Sequence, residues 1–283
     1  MAGIFASFLN RLRTRYEPAP PPSPEEFRLE AICTALLNDS LPQLSLDNSA
    51  DAQWRSCLLD EIRFWYQHIS GARDWYARFI DDIKTNRPGS LFYNFEYANL
   101  LEHFADSEIH VLDLGCGPLL TLGRNWPGRQ LKFTRYDALG CVYEKLLTKL
   151  NLDAEPLRSI TGQAERAAEQ FGPNSFHFAF SRNALDHCYD PMKVIQGMYQ
   201  VLTDGGVILL RHFENEAVYG QYHGLHKWNF SIRDDRPILW SQRRMIDIAD
   251  HLPKTASVTA RRYQGDEQPN PRTWIDVTIR RPI

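Results

Sequence analysis

Three features of the chain predict a three-layer α/β fold, a mostly parallel sheet between helices. An apolar run, Val111-Leu112-Asp113-Leu114, passes straight into Gly115-Cys116-Gly117. A second strand-like run, residues 131–137, ends in Asp137, at the roughly twenty-residue separation of two successive strands joined by a helix. Helical and extended patterns then alternate to residues 273–280, where Ile275, Val277 and Ile279 alternate with Asp276, Thr278 and Arg280. One buried and one solvated strand face require that period of two, and alternating helices and strands build a sheet covered on both sides.

From the N-terminus, residues 1–16 set Ile4, Phe5, Phe8, Leu9 and Leu12 at helical spacing beside Arg11, Arg13 and Arg15. This amphipathic segment suits packing on its own domain, a protein partner or an anionic membrane surface. Its basic residues follow a short, interrupted apolar block, which does not read as a secretory signal. A proline-rich linker completes a unit of residues 1–22. Ser23 with Glu26 forms a capping box and Pro24 sits at the first helical position, starting a helix towards Leu37. Residues 50–84 carry Trp54, Leu58, Leu59, Ile62, Phe64, Trp65, Trp75, Phe79 and Ile83 among many charges. That texture predicts one or two amphipathic helices, divided at Gly71. Residues 91–104 are expected to form a helix feeding the first strand.

The glycine turn is the most informative segment. Gly115 tolerates backbone conformations closed to other residues, and Gly117 admits a ligand without a Cβ in the way. A dinucleotide turn would want a further glycine at position 120, which is Leu, and the Asp113 carboxylate suits a cationic ligand group, so NAD is disfavoured. Asp137 stands where an acid holds a ribose diol. Cys116 reads as a small filler, because no basic neighbour in sequence activates it.

On these residues, the stretch from His110 to about Leu210 resembles a class I S-adenosylmethionine-dependent methyltransferase, with VLDLGCGP as its first motif and YDAL as its second. The resemblance implies a seven-stranded Rossmann-like sheet, its last strand inserted antiparallel, in a core over residues 106–283. It also implies a helical region, 23–105, covering the active site, where Tyr93 or Tyr97 would cap the cofactor. S-adenosylmethionine would be the cofactor and S-adenosylhomocysteine the product. Asp113, Gly115, Cys116 and Gly117 would face its methionine portion, Asp137 and Ala138 its ribose, and Glu165 its adenine. Residues 176–187 resemble the fourth strand and its loop, placing Ser181, Arg182 and Asn183 beside the sulfonium. The family's third glycine is replaced by Leu119, which supports an alternative: a binding or scaffold protein of this fold without turnover. An NAD(P)-linked oxidoreductase is the weaker alternative.

Downstream, Asp190-Pro191 opens a helix ending at Asp204-Gly205-Gly206, followed by a strand over residues 207–213 and another over 255–263. Between these strands His212, Glu214, His223 and His226 crowd with Tyr219, Tyr222, Trp228 and Phe230. A histidine there can take a proton from a hydroxyl acceptor. His226 is the first candidate, then His223 and His187, with Asp186 beside the last; no metal is assigned to this group.

Composition limits the rest. The 283 residues are 43% hydrophobic, enough for one large core. A net charge of -3 disfavours a nucleic-acid substrate held through phosphates. Five cysteines without a CxxC pair argue against a zinc knuckle or disulfide scaffold and for a reducing compartment, hence a cytoplasmic protein with residues 1–16 as its link to a membrane or partner. The expected reaction is O-methylation of a small molecule or glycan.

Overall fold

The computed structural model describes residues 23–40, 51–70, 80, 85, 87–90, 92–152, 157–265 and 272–283. The expectations for residues 1–22, the division at Gly71, and Trp75, Phe79 and Ile83 fall outside them. Two helices come first, α1 (Pro24–Ser40) and α2 (Asp51–Ile69). The capping box forms as written: the Ser23 amide donates to Glu26 Oε2 at 2.6 Å and the Glu26 amide to Ser23 Oγ at 3.2 Å. Among the described residues, no helix is long and apolar enough to cross a membrane.

Seven strands form the main sheet: β1 (Glu108–Leu114), β2 (Gln130–Asp137), β3 (Ile160–Thr161), β4 (Phe176–Arg182), β5 (Leu202–Phe213), β9 (Ser257–Gln264) and β10 (Thr273–Arg280). Their order is β3-β2-β1-β4-β5-β10-β9. β1 pairs parallel with β2 and β4, and β4 with β5, while β10 is inserted antiparallel between β5 and β9. This is the sheet the resemblance implies, with the chain reversing direction on either side of β1. Helices α3 (Gly140–Lys149), α4 (Ala167–Phe171) and α5 (Pro191–Val201) connect the parallel strands.

Strand parity divides the core in two. Ile109, Val111, Phe178, Phe180, Val207 and Leu209 face one side, packed with Leu58 and Ile62 of α2 and Val142 and Leu146 of α3. Leu112, Leu114, Ala179, Ile208, Leu210, Val277 and Ile279 face the other, packed with Val194, Ile195 and Met198 of α5. Asp190 caps α5 by accepting from the Lys193 amide at 3.2 Å, with Pro191 at the first position. The helix stops at Val201 and β5 takes over at Leu202, earlier than the sequence expectation of residue 207.

Two departures matter. Residues 92–104 are not a helix but turns around a short 3-10 segment, Ala98–Leu100. Their backbone is spent elsewhere: Tyr93 O accepts from the amides of Arg124 and Asn125, and the Phe95 amide donates to Asn125 O. The rings of Phe95 and Tyr97 then pack on Phe178. The second departure is an unforeseen antiparallel sheet after β5, made of β6 (Asn229–Arg233), β7 (Arg236–Trp240) and β8 (Met245–Asp247), preceded by α6 (Glu216–Tyr219). Phe230 and Leu239 of this sheet complete the second core.

Gly123 is where residues 94–95 press closest, since a Cβ there would lie 1.7 Å from Asn94 O. Gly123→Ala should therefore destabilise the protein by about 1–3 kcal/mol or more, as overpacking against backbone does. Urea unfolding measures this, and a change within about 0.5 kcal/mol, the range of a neutral surface substitution, would contradict the packing.

Candidate active site

The parallel strands β1 and β4 end together, and their loops meet. Gly115 has φ +66° and Gly117 φ +58°, left-handed conformations that favour glycine. A Cβ on Gly115 would lie 2.4 Å from Ala184 Cβ in the loop after β4, so the space beside this glycine belongs to that loop. A Cβ on Gly117 would meet the Trp65 ring of α2 at 3.1 Å. Leu119 is buried in the core without left-handed backbone; a third glycine is not needed for this turn.

Arg135 shapes the turn from beneath. Its guanidinium donates Nη2–H bonds to Gly117 O (2.8 Å), Leu119 O (2.9 Å) and Cys116 O (3.2 Å), and an Nη1–H bond to Leu157 O. Its Nε lies 3.6 Å from Asp113 Oδ2, and both side chains are almost fully buried. Burial pushes the Asp113 carboxyl up to about 6 against the pull of Arg135. Asp113 Oδ2 has no hydrogen-bond partner. Arg135 was not singled out from sequence, although its parity with Leu131 and Phe133 on the inward face was the available signal.

Asp137 is half-buried at the end of β2. Oδ2 accepts from the Gly117 amide at 2.9 Å and Oδ1 from the Leu139 amide at 2.8 Å. Each oxygen retains a free lone pair. Burial raises its carboxyl in spite of these bonds. Ala138 follows in the turn, half-buried. Glu165 Oε1 accepts from the amides of Tyr189 (2.9 Å) and Asp190 (3.3 Å), bracing the entry to α5.

After Phe180 the β4 side chains diverge. Ser181 is fully buried with its Oγ unpartnered, 3.8 Å from the Cβ position on Gly115. Arg182 turns to the opposite face and lies over Trp274, 5.0 Å from the ring centroid. Asn183 (φ +47°) accepts from the Phe213 amide through Oδ1 at 2.9 Å, tying the loop to β5. Tyr97 packs against Phe178 and Phe180, 6% exposed.

The three histidine candidates separate. His226 Nδ1 lies 2.6 Å from Asp186 Oδ2 and 3.2 Å from His187 Nε2, and His187 Nε2 lies 3.5 Å from the same carboxylate oxygen. His223 is exposed and stands apart from these contacts. Nor do the other members of the histidine-rich segment join them: Glu214 pairs with Arg262 and Ser231, and His212 is buried against Phe230 at 3.9 Å, its imidazole pulled down by burial to about 4. Burial alone would raise the Asp186 carboxyl, but the charge of His187 and the His226 hydrogen bond hold it well below the carboxylate range. Burial pulls His226 down, and the bond to Asp186 outweighs it, leaving the imidazole above its ordinary value. The segment bearing His226 is pinned: the Lys227 amide donates to Asp186 O, and Asn229 accepts from the Val218 amide and donates to Tyr222 Oη.

From α2, Glu61 accepts the Trp65 indole N–H at 2.7 Å, and its charge reaches both Asp137 and His226. The arrangement offers a glycine cradle, unpartnered Ser181 Oγ and Asp113 Oδ2, and a carboxylate at the end of β2, with an imidazole oriented by a buried carboxylate beside them.

A family described as a methyltransferase domain matches residues 112–210. No curated protein matches the chain. Among solved structures, the chain is similar to 1,6-didemethyltoxoflavin-N1-methyltransferase of Burkholderia thailandensis, solved with 1,6-didemethyltoxoflavin and S-adenosylhomocysteine (14% identity over 84% of this chain and 93% of that one, TM-score 0.44). It is similar also to an S-adenosylmethionine-dependent methyltransferase of Methanosarcina mazei (15% identity, 65% and 97% covered, TM-score 0.39). A third is phosphoethanolamine N-methyltransferase 2 of Haemonchus contortus (13% identity, 76% and 59% covered, TM-score 0.42).

Removing the Arg135 guanidinium should leave Asp113 buried and uncompensated. Arg135→Met is expected to cost about 3–5 kcal/mol, the range for breaking one side of a buried pair. The double variant Asp113→Leu/Arg135→Met should recover part of that loss. Chemical denaturation of the three proteins checks this, and a double variant no better than Arg135→Met would show that the loop hydrogen bonds, not the charge pair, carry the cost.

Proposed function

We propose that the protein, whose residues 112–210 match a methyltransferase domain, moves a methyl group from S-adenosylmethionine to a hydroxyl oxygen of a small molecule or glycan. The observation that carries this reading is the Asp186–His226 contact, 2.6 Å, in the loop that also packs Ala184 on Gly115. When bound, S-adenosylmethionine supplies an electrophilic methyl group on a cationic sulfonium.

The residues present fit it. Gly115 and Gly117 let the turn close against Ala184 and Trp65, Cys116, Arg182 and Asn183 are the neighbouring residues the family resemblance assigns to the cofactor, and Ser181 Oγ and Asp113 Oδ2 are buried polar atoms without hydrogen-bond partners. A buried polar atom without a partner costs free energy that a ligand donor or acceptor returns. Asp137 has lone pairs for the ribose hydroxyls, with Ala138 beside it and Glu165 nearest the adenine end. Trp65 and Glu61 roof this cleft from α2, the part of the 23–105 region that would exclude water and keep negative charge near the sulfonium.

The acceptor proton goes to His226. Asp186 fixes the ring through Nδ1, leaving Nε2 for the acceptor, the division of roles in which a carboxylate orients an imidazole base. His187 steadies the same carboxylate, and His223 is the lesser candidate for the base. Most of the rate would come from holding the reactants in line. Proton transfer would add about 10²-fold or more.

Three outcomes are expected. Asp137→Ala should weaken S-adenosylhomocysteine binding by about 1–3 kcal/mol while the fold persists; calorimetry with S-adenosylhomocysteine and, separately, NAD would also dispose of the oxidoreductase alternative. His226→Ala should slow labelled methyl transfer to hydroxyl acceptors by roughly 10²-fold or more with cofactor affinity within a few-fold. A loss confined to the acceptor KM would make His226 a pocket-shaping residue instead, and no transfer to any acceptor despite tight cofactor binding would favour the scaffold alternative.

Asp186 stabilises the protonated imidazole, so the neutral base appears only as pH rises through a midpoint above the ordinary histidine value. Asp186→Asn should move that midpoint down. Proton NMR titration of the His226 ring follows it without an acceptor, and an unmoved midpoint would remove Asp186 as its partner. The three donor atoms also lie close enough to share a cation; activity that falls in a chelator and returns with a divalent ion would replace the base with a metal.

A further inference from the structure

On the sheet face opposite Ser181 and His212, the carboxyl rim gathers arginines. Arg211 of β5 forms a two-pronged pair with Asp276 at 2.9 and 3.0 Å, and Arg261 of β9 reaches the same carboxylate at 2.8 Å. On the other face, that of His212, Arg262 pairs with Glu214 at 2.7 Å. Arg182, in register with Arg211 on the adjacent strand, has no acidic partner among the described residues. Its guanidinium is half-buried and stacked over Trp274 at 5.0 Å.

A partly desolvated cation beside a second arginine, without an acidic partner among the described residues, is unfavourable. Cation–π attraction holds the guanidinium over the indole, and the planar fork of a guanidinium suits an oxyanion with two parallel hydrogen bonds. Arg182 closes β4, directly after Ser181 and four residues before Asp186, so its backbone stands at the same carboxyl edge while its side chain serves the other face. We propose that Arg182, backed by Trp274, binds an anionic group, a phosphate or a carboxylate, on the methyl acceptor. That the ligand is the acceptor rests on the methyltransferase reading; the anion site itself does not.

The test titrates inorganic phosphate, and separately acetate, at constant ionic strength into the full-length protein, followed by tryptophan emission and thermal midpoint. Wild type should respond saturably to at least one anion. Arg182→Gln should weaken that response by about tenfold or more, and Arg182→Lys, a point charge without the fork, should fall between. The exposed Arg243→Gln should match wild type in both anion response and S-adenosylhomocysteine affinity, the latter within about twofold, less than the tenfold that 1.4 kcal/mol represents. A stronger phosphate response assigns a phosphorylated acceptor and a stronger acetate response a carboxylated one. Equal responses in Arg182→Gln and wild type, or no saturable response in wild type, would overturn the site. Absence of S-adenosylhomocysteine binding in wild type, with an Arg182-dependent anion response, would overturn the methyltransferase reading and leave the anion site standing.

Discussion

A cation sealed between two strands organises this protein. Arg135 enters the sheet interior from β2, meets Asp113 on β1 across the pair that puts the two residues in register, and spends its remaining donors on carbonyls of the turn that follows β1. A guanidinium carries five donors in a rigid fork and cannot shed its charge. Burying it is tolerable only where acceptors surround it, and here they are carbonyls of the turn after β1 together with Leu157 O. The turn therefore keeps its shape by satisfying Arg135, and Leu119, whose carbonyl is one of the acceptors, is buried in the core.

The same economy leaves work undone at the carboxyl edge. Asp113 Oδ2, Ser181 Oγ and Asp186 Oδ1 are buried without hydrogen-bond partners, all in β1, β4 or the loop after β4. Native interiors leave few such atoms. These three lie where parallel strands end, the place an open α/β sheet offers a ligand. Acid–base groups gather on one side of it, with Asp186, His187 and His226; cations gather on the other, with Arg182, Arg211 and Arg261.

The second, three-stranded sheet gives the acid–base side its rigidity. Trp228 and Phe230 enter the core, Asn229 is fully buried with its amide satisfied on both sides, and Gly220 admits the His226 ring at 3.2 Å from the position a Cβ would take. The segment between β5 and β6 is thereby held in place. An imidazole held this way has little freedom left to lose, and orientation is what the proposed proton transfer would require.

Much of the architecture was legible in the chain. Period-two patterning placed β10 to the residue, and the Ser23 cap and the Asp190-Pro191 start marked α1 and α5, because these signals are local: a strand face or a helix end is decided by neighbours a few residues away. The glycine turn and Asp137 were legible for the same reason. What was not legible depended on partners far along the chain. Residues 92–104 carry a helical pattern, yet their amides and rings are claimed by residues 124–126 and 178–180. β6 to β8 were missed since a small sheet draws its stability from a core that sequence does not display. Local spacing located the strand ends and their turn; only tertiary structure decided that Arg135 is buried, that Asp186 selects His226 and His187 over His223, and that Arg182 faces away from Ser181, because a charge or a proton acceptor acquires its role from groups brought near by folding, and Coulomb and hydrogen-bond energies depend on distance in space.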